Sequence, residues 1–173
     1  MIERSEILRK SIHFLGLLYI PGILILGKSL MTFVVLTLTV LSLGVEFLRV
    51  RYEVIPEELL REYERKRVGA YIYTGLAFSL ITPFFPNDAC VIAAVCAFAG
   101  DGLSGLAKKF DAKLSFLAYF SSTAILAIFL NLQLPASLSA ILISYLFDGR
   151  KILNDNFTIP TSAAVIYYLL SAT

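Results

Sequence analysis

Apolar runs of near membrane-spanning length, separated by short charged segments, leave this chain few folds to choose from. A helix needs about 20 apolar residues to cross the hydrocarbon core of a bilayer. The runs at 11–27, 29–48, 69–85, 88–107, 114–134, 135–147 and 157–172 approach or reach that length. Hydrophobic residues fill 58% of the 173 positions and charged residues 16%, against about 45–50% and about 25% in ordinary soluble domains. In lipid every backbone N–H and C=O must be satisfied within the protein, so such runs become helices. The expectation is one all-α polytopic membrane domain over 1–173, with about seven transmembrane helices. The sixth and seventh runs are short, which allows tilt, an earlier start or a re-entrant pair. Pro21-Gly22 is expected to kink the first.

The one long polar segment, 49–68, holds Pro56-Glu57-Glu58 followed by Leu59, Leu60 and Tyr63. Proline in a first turn with acids at the positive end of the dipole predicts a helix, over 56–67, lying on the membrane face. Loop charge orients the whole. With the N-terminus in the cytoplasm and the C-terminus outside, only Lys28 of the 15 basic residues falls outside. No small-residue cleavage site follows the charged N-terminus, so no cleaved leader is expected. Cys90 and Cys96 would lie about 9 Å apart along a helix axis, too far for a disulfide.

This orientation gathers polar chemistry on one side. His13, Glu46, Glu64, Asp101, Lys113, Asp148, Asp155 and Asn156 all fall at or near cytoplasmic ends of runs. Asp101 is the least ordinary of them. It stands in an apolar run between Gly100 and Gly102, which permit close approach of backbone to a ligand. A carboxylate at membrane depth costs about 2.5–3.5 kcal/mol on insertion scales. Acids so placed suit Mg²⁺, and the bases suit phosphate. Structural readings stand beside these. Glu46 with Arg49 also reads as an i,i+3 pair, His13 as a hydrogen-bonding core residue, Asp148 as a cap on the turn at Gly149, and Lys108 and Lys109 as topological anchors.

Other chemistries are excluded. Gly100-x-Gly102-x-x-Gly105 matches a dinucleotide-binding string but lies in an apolar helical run with no βαβ unit. No His/Cys cluster has zinc spacing. The basic residues follow the membrane boundary rather than one face, so no nucleic-acid partner is expected.

Several short motifs, in order, resemble the CTP-dependent polyprenol kinases, the family of dolichol kinase and phytol kinase, distantly related to phosphatidate cytidylyltransferases. They are Glu6-x-x-Arg9-Lys10-x-x-His13, Glu46-x-x-Arg49, Glu64 with Gly69-Ala70-Tyr71, Gly100-Asp101-x-x-Ser104, and Asp155-Asn156-x-x-Ile159-Pro160. Two departures stand out. The family's K-[ST]-x-E-G-S block keeps only Lys113, with Phe116 and Leu117 in place of the Glu and Gly. Asp148 stands where the family tends to have a glutamate.

The resemblance implies transfer of the γ-phosphoryl group of CTP to an isoprenoid alcohol in a membrane, on its cytoplasmic face, whether plasma membrane or endoplasmic reticulum. It implies Asp101 and Asp155 at Mg²⁺, and Arg9, Lys10, Lys113, Gly100 and Gly102 at nucleotide or phosphate. His13 or Glu46 would accept the alcohol proton, with Glu64, Asp148 and Asn156 in support. A homo-oligomer is compatible with this pattern. Two alternatives stay open: cytidylyl transfer to a lipid phosphate, and a non-catalytic membrane relative, which the reduced lysine block favours.

Overall fold

The computed structural model describes residues 4–52, 68–149 and 154–172, with side chains from Lys10 onward. The surface helix expected over 56–67, Glu64 and the Arg9 side chain lie outside the described residues. Helices account for all the regular structure described: α1 (Arg4–Leu15), α2 (Tyr19–Tyr52), α3 (Ala70–Phe84), α4 (Asn87–Ala94), α5 (Asp101–Ala107), α6 (Ala112–Phe129), α7 (Leu134–Tyr145) and α8 (Asp155–Ser171). A 3₁₀ stretch, Gly16–Leu18, joins α1 to α2, and a π stretch, Val95–Gly100, joins α4 to α5. Among the described residues, three apolar segments are long enough to cross a membrane: Lys10–Tyr52, Asn87–Ala107 and Ala112–Phe129. Ala70–Phe84 and Leu134–Tyr145 are shorter apolar helices.

Helix α2 is two arms rather than one rod. Gly27 breaks it with φ 76° and ψ 164°, a conformation open to glycine. Along an unbroken helix Tyr19 and Ser42 would stand about 35 Å apart, yet both line one cavity. The chain therefore folds back at Gly27, bringing Gly22 against Met31. The reversal falls between the two runs expected at 11–27 and 29–48. The bend expected at Pro21-Gly22 takes another form. Pro21 has no N–H for the Leu17 carbonyl, and the ladder tightens into the 3₁₀ stretch at Gly16–Leu18, one turn upstream.

The middle of the molecule is the helical segment from Ala89 to Gly100, every residue of which is buried. Its alanines, cysteines and glycine suit that place. Lipid offers no hydrophobic drive between helices, so close packing of small residues and interhelical hydrogen bonds hold them together. Helix α8 packs on α4, α3 and α7, and α6 packs on the π stretch and α5. A Cβ on Gly100 would come within 2.7 Å of the Tyr119 ring and 2.8 Å of the Thr123 methyl. Hydrogen bonds between helices reinforce the contacts: Tyr19 to Thr82 at 2.9 Å, Thr39 to Ser79 at 3.0 Å and Tyr119 to Ser144 at 2.8 Å. Cys90 and Cys96 are both buried as free thiols. Large side chains such as Phe33, Leu41 and Phe47 instead point outward and exposed, as lipid-facing residues do.

Two ends depart from expectation. The fifth run, expected over 114–134, stops as a helix at Phe129, and Asn131 takes a left-handed φ of 53° in the turn to α7. Asparagine tolerates that region. Helix α8 begins at Asp155, two residues before the expected 157, because the Asn154 side chain caps it by accepting from the Asn156 amide at 3.0 Å.

Candidate functional site

The site forms where α1, α5, the turn after α7 and the start of α8 meet. Asp101 opens α5 directly after the π stretch. A π stretch moves the backbone ladder by one residue, and such irregularities are frequent at functional sites. Here the Ala97 carbonyl accepts from His13 Nε2 at 2.7 Å. A carbonyl oxygen only accepts, so Nε2 carries hydrogen. The same nitrogen is 3.3 Å from Asp101 Oδ2. Lys10 lies one turn before His13 on the same face of α1. Its Nζ donates to the Asp101 main-chain carbonyl at 3.1 Å and sits 3.6 Å from Asp101 Oδ2.

Two further carboxylates converge on Asp101. One oxygen each from Asp101, Asp148 and Asp155 lie within 4.8 Å of one another. At that separation two full charges repel by about 3 kcal/mol even at an effective dielectric of about 20. Lys10 and Lys108 offset part of this; Lys108 Nζ is 3.4 Å from Asp148 Oδ1. Asp148 is also held from below. Ser104 Oγ donates to its Oδ2 at 2.9 Å, and Ser104 is tied in turn to Ser115 at 2.9 Å. Both serines are buried. Hard carboxylate oxygens crowded this closely fit Mg²⁺, which binds through one or two carboxylates together with phosphate oxygens.

A narrow crevice with no room for a water molecule runs beside Asp101 and Asp155, walled by His13, Thr74, Ala97, Asp101, Asp155, Asn156, Ile159 and Pro160. Pro160 has no N–H to give the Asn156 carbonyl. The ladders of both helices that meet here are thus irregular at the crevice. On the other side of Thr74 is a cavity of about 560 Å³ between the arms of α2 and helix α3. Thr74 lines both spaces, and Phe98, which lines the larger one, packs edge-on against His13.

Of the residues singled out from sequence, Lys10, His13, Asp101, Asp148, Asp155 and Asn156 meet at this site. Glu46 is engaged elsewhere. Its carboxylate takes Arg49 at 2.6 and 2.8 Å, the Gly69 amide at 3.1 Å and the Tyr71 hydroxyl, joining α2 to α3. Gly100 and Gly102 face neighbouring helices: Gly100 the Tyr119 and Thr123 side chains, Gly102 the Phe14 ring. Lys113 is exposed in the first turn of α6.

Ser115, Thr74 and the pairings of Ser104 and Lys108 with Asp148 escaped the sequence reading. For Ser104 and Lys108 a signal existed. They follow Asp101 at i+3 and i+7, one face of one helix. Compared with models of protein families, with curated proteins and with solved structures, the chain matches none of them.

Proposed function

We propose that this chain is a membrane-embedded lipid kinase that transfers the γ-phosphoryl group of CTP to an isoprenoid alcohol, yielding a polyprenyl monophosphate and CDP. One observation carries this reading: the three-carboxylate cluster, flanked by Lys10, His13 and Lys108, is separated from an apolar cavity only by Thr74, which borders both, and by Phe98, which lines the cavity and packs on His13. That juxtaposition suits a substrate with a hydrocarbon tail and a polar reacting end. The motif resemblance supplies the nucleotide and the acceptor.

Phosphoryl transfer asks for positioning and charge neutralisation more than for covalent chemistry. Asp101, Asp148 and Asp155 would hold Mg²⁺, which neutralises charge on the transferring group. Lys108 is more than half exposed beside Asp148 and within reach of a phosphate. Lys10 holds the Asp101 backbone and carboxylate in place. The alcohol proton goes to the His13–Asp101 pair, both members of which wall the crevice. In this reading the protein crosses the membrane with seven spans, N-terminus in the cytoplasm and C-terminus outside, and the cluster faces the cytoplasm.

The test uses purified protein in lipid vesicles with γ-labelled CTP and geranylgeraniol or dolichol. Labelled lipid and unlabelled CDP are the expected products, and Asp101→Asn abolishes both. Release of pyrophosphate would reassign the chain to cytidylyl transfer. Failure to bind CTP at millimolar concentration with Mg²⁺ would reassign it to a non-catalytic role.

A further inference from the structure

The two lysines that meet the acid cluster are each laid across a glycine. Lys108 lies over Gly149, where a Cβ would stand 2.8 Å from Nζ. Lys10 lies over Gly105, where a Cβ would overlap Nζ and come within 2.8 Å of Cε. Lys10 is the buried one of the two, its side chain 8% exposed against 53% for Lys108. A buried ammonium is tolerated when it is both paired and hydrogen-bonded. Lys10 has both from one residue: the Asp101 carbonyl at 3.1 Å and Asp101 Oδ2 at 3.6 Å.

Gly105 follows Asp101 by one turn on the same face of α5. A helical Cβ tilts toward the N-terminus, over the preceding turn. Any other residue at 105 would therefore set its first carbon where the Lys10 ammonium rests. The glycines of the Gly100-x-Gly102-x-x-Gly105 string differ in this respect. Gly100 and Gly102 face aromatic rings, Tyr119 and Phe14, whereas Gly105 faces the end of a flexible lysine. A lysine head that loses its seat can swing out to water on its stem, and alanine is the better helix former. Alanine at 105 should thus trouble the fold little and the lysine greatly.

We propose that Gly105 is a positioning residue: lacking a side chain, it seats the Lys10 ammonium on Asp101 and through it sets the turnover of the transfer. This deepens the kinase reading and rests on the same site. Gly149 is the less informative of the two glycines, because its φ of 73° would strain any replacement whatever became of Lys108.

The test follows the lysine and the reaction separately. The full chain in detergent micelles, without CTP, is treated with a water-soluble amine-acylating reagent, and mass spectrometry compares Lys10 with the exposed Lys113. In the parent protein Lys10 should react at least about tenfold more slowly than Lys113. Gly105→Ala should close most of that gap, with the unfolding midpoint unchanged or raised. Gly44→Ala, whose new carbon has nothing within 4 Å, should leave both rates as they were. In the transfer assay Gly105→Ala and Lys10→Met should each lower kcat about tenfold or more, with the KM for the alcohol within about a factor of three. The double variant should be no slower than Lys10→Met, since the glycine acts through the lysine. Unchanged Lys10 acylation in Gly105→Ala would overturn the seat. Losses that add in the double variant, or a lowered midpoint with Lys113 acylated faster too, would overturn it by making Gly105 a packing residue. Full turnover in Gly105→Ala with Lys10 reactive would overturn its part in the transfer. Because acylation needs no nucleotide, a seated Lys10 in a protein that transfers no phosphate upholds the seat while removing the kinase reading. Transfer by a parent protein whose Lys10 is as reactive as Lys113 does the reverse.

Discussion

Glu46 separates a catalytic from a structural role most sharply, because two substitutions divide the possibilities. The carboxylate and its Arg49 partner are both buried, 8% and 6% exposed. Glu46→Ala would leave a buried guanidinium without its two short charge-assisted bonds, and would strand the Gly69 amide and the Tyr71 hydroxyl. Breaking a buried ion pair from one side costs about 3–5 kcal/mol. Glu46→Gln keeps the shape and one acceptor oxygen. It replaces the other accepting oxygen by an NH2 group, which cannot accept from its donor, and leaves the Arg49 charge without a counter-charge, a loss of about 2 kcal/mol. Replacing both partners by leucine removes the charges together and should fall well short of the single alanine change. Denaturant unfolding in detergent micelles gives these differences. CTP-dependent transfer is then measured where each variant is folded. Since α2 and α3 wall the apolar cavity, the glutamine variant should show a raised KM for the alcohol, with kcat within about a factor of three of the parent, under 1 kcal/mol. A Glu46→Gln protein of full stability that has lost turnover would refute this reasoning and make Glu46 a proton acceptor.

Three further outcomes follow from the site and the packing. Mg²⁺ should raise the unfolding midpoint of the parent protein, by about 2.7 kcal/mol at a hundredfold excess over its Kd, and Asp155→Asn should remove that stabilisation in the same melting assay. Ser104→Ala, by releasing the Asp148 carboxylate, should raise the Mg²⁺ concentration for half-maximal stabilisation about tenfold, as loss of a group orienting a ligand does; an unchanged titration would show that Ser104 does not position Asp148. Gly100→Ala should destabilise by about 1–3 kcal/mol through overpacking, because its new methyl would meet Tyr119 and Thr123, both fully buried, and unfolding in detergent measures it directly.

Composition along the chain determined the material of this fold. Hydropathy is a local property, so the runs at 88–107 and 135–147 could be read close to the helices that form, Asn87–Ala107 and Leu134–Tyr145. The placing of polar residues at one set of run ends is also local, and it brought His13, Asp101, Asp148 and Asp155 under suspicion together. Tertiary structure decided everything that depends on which face of one helix meets which face of another. Glu46 reads from sequence as half of an i,i+3 pair, and that pair forms, but Gly69 and Tyr71 join it from 23 and 25 positions away. Gly100 and Gly102 read as room for a ligand, and neighbouring side chains occupy that room. The cavity itself exists only because the chain reverses at Gly27 and lays one arm of α2 beside the other and α3. In an interior held by shape and hydrogen bonding rather than by hydrophobic drive, helix rotation is set by the fit of small residues across many contacts at once, and no single stretch of sequence carries that information.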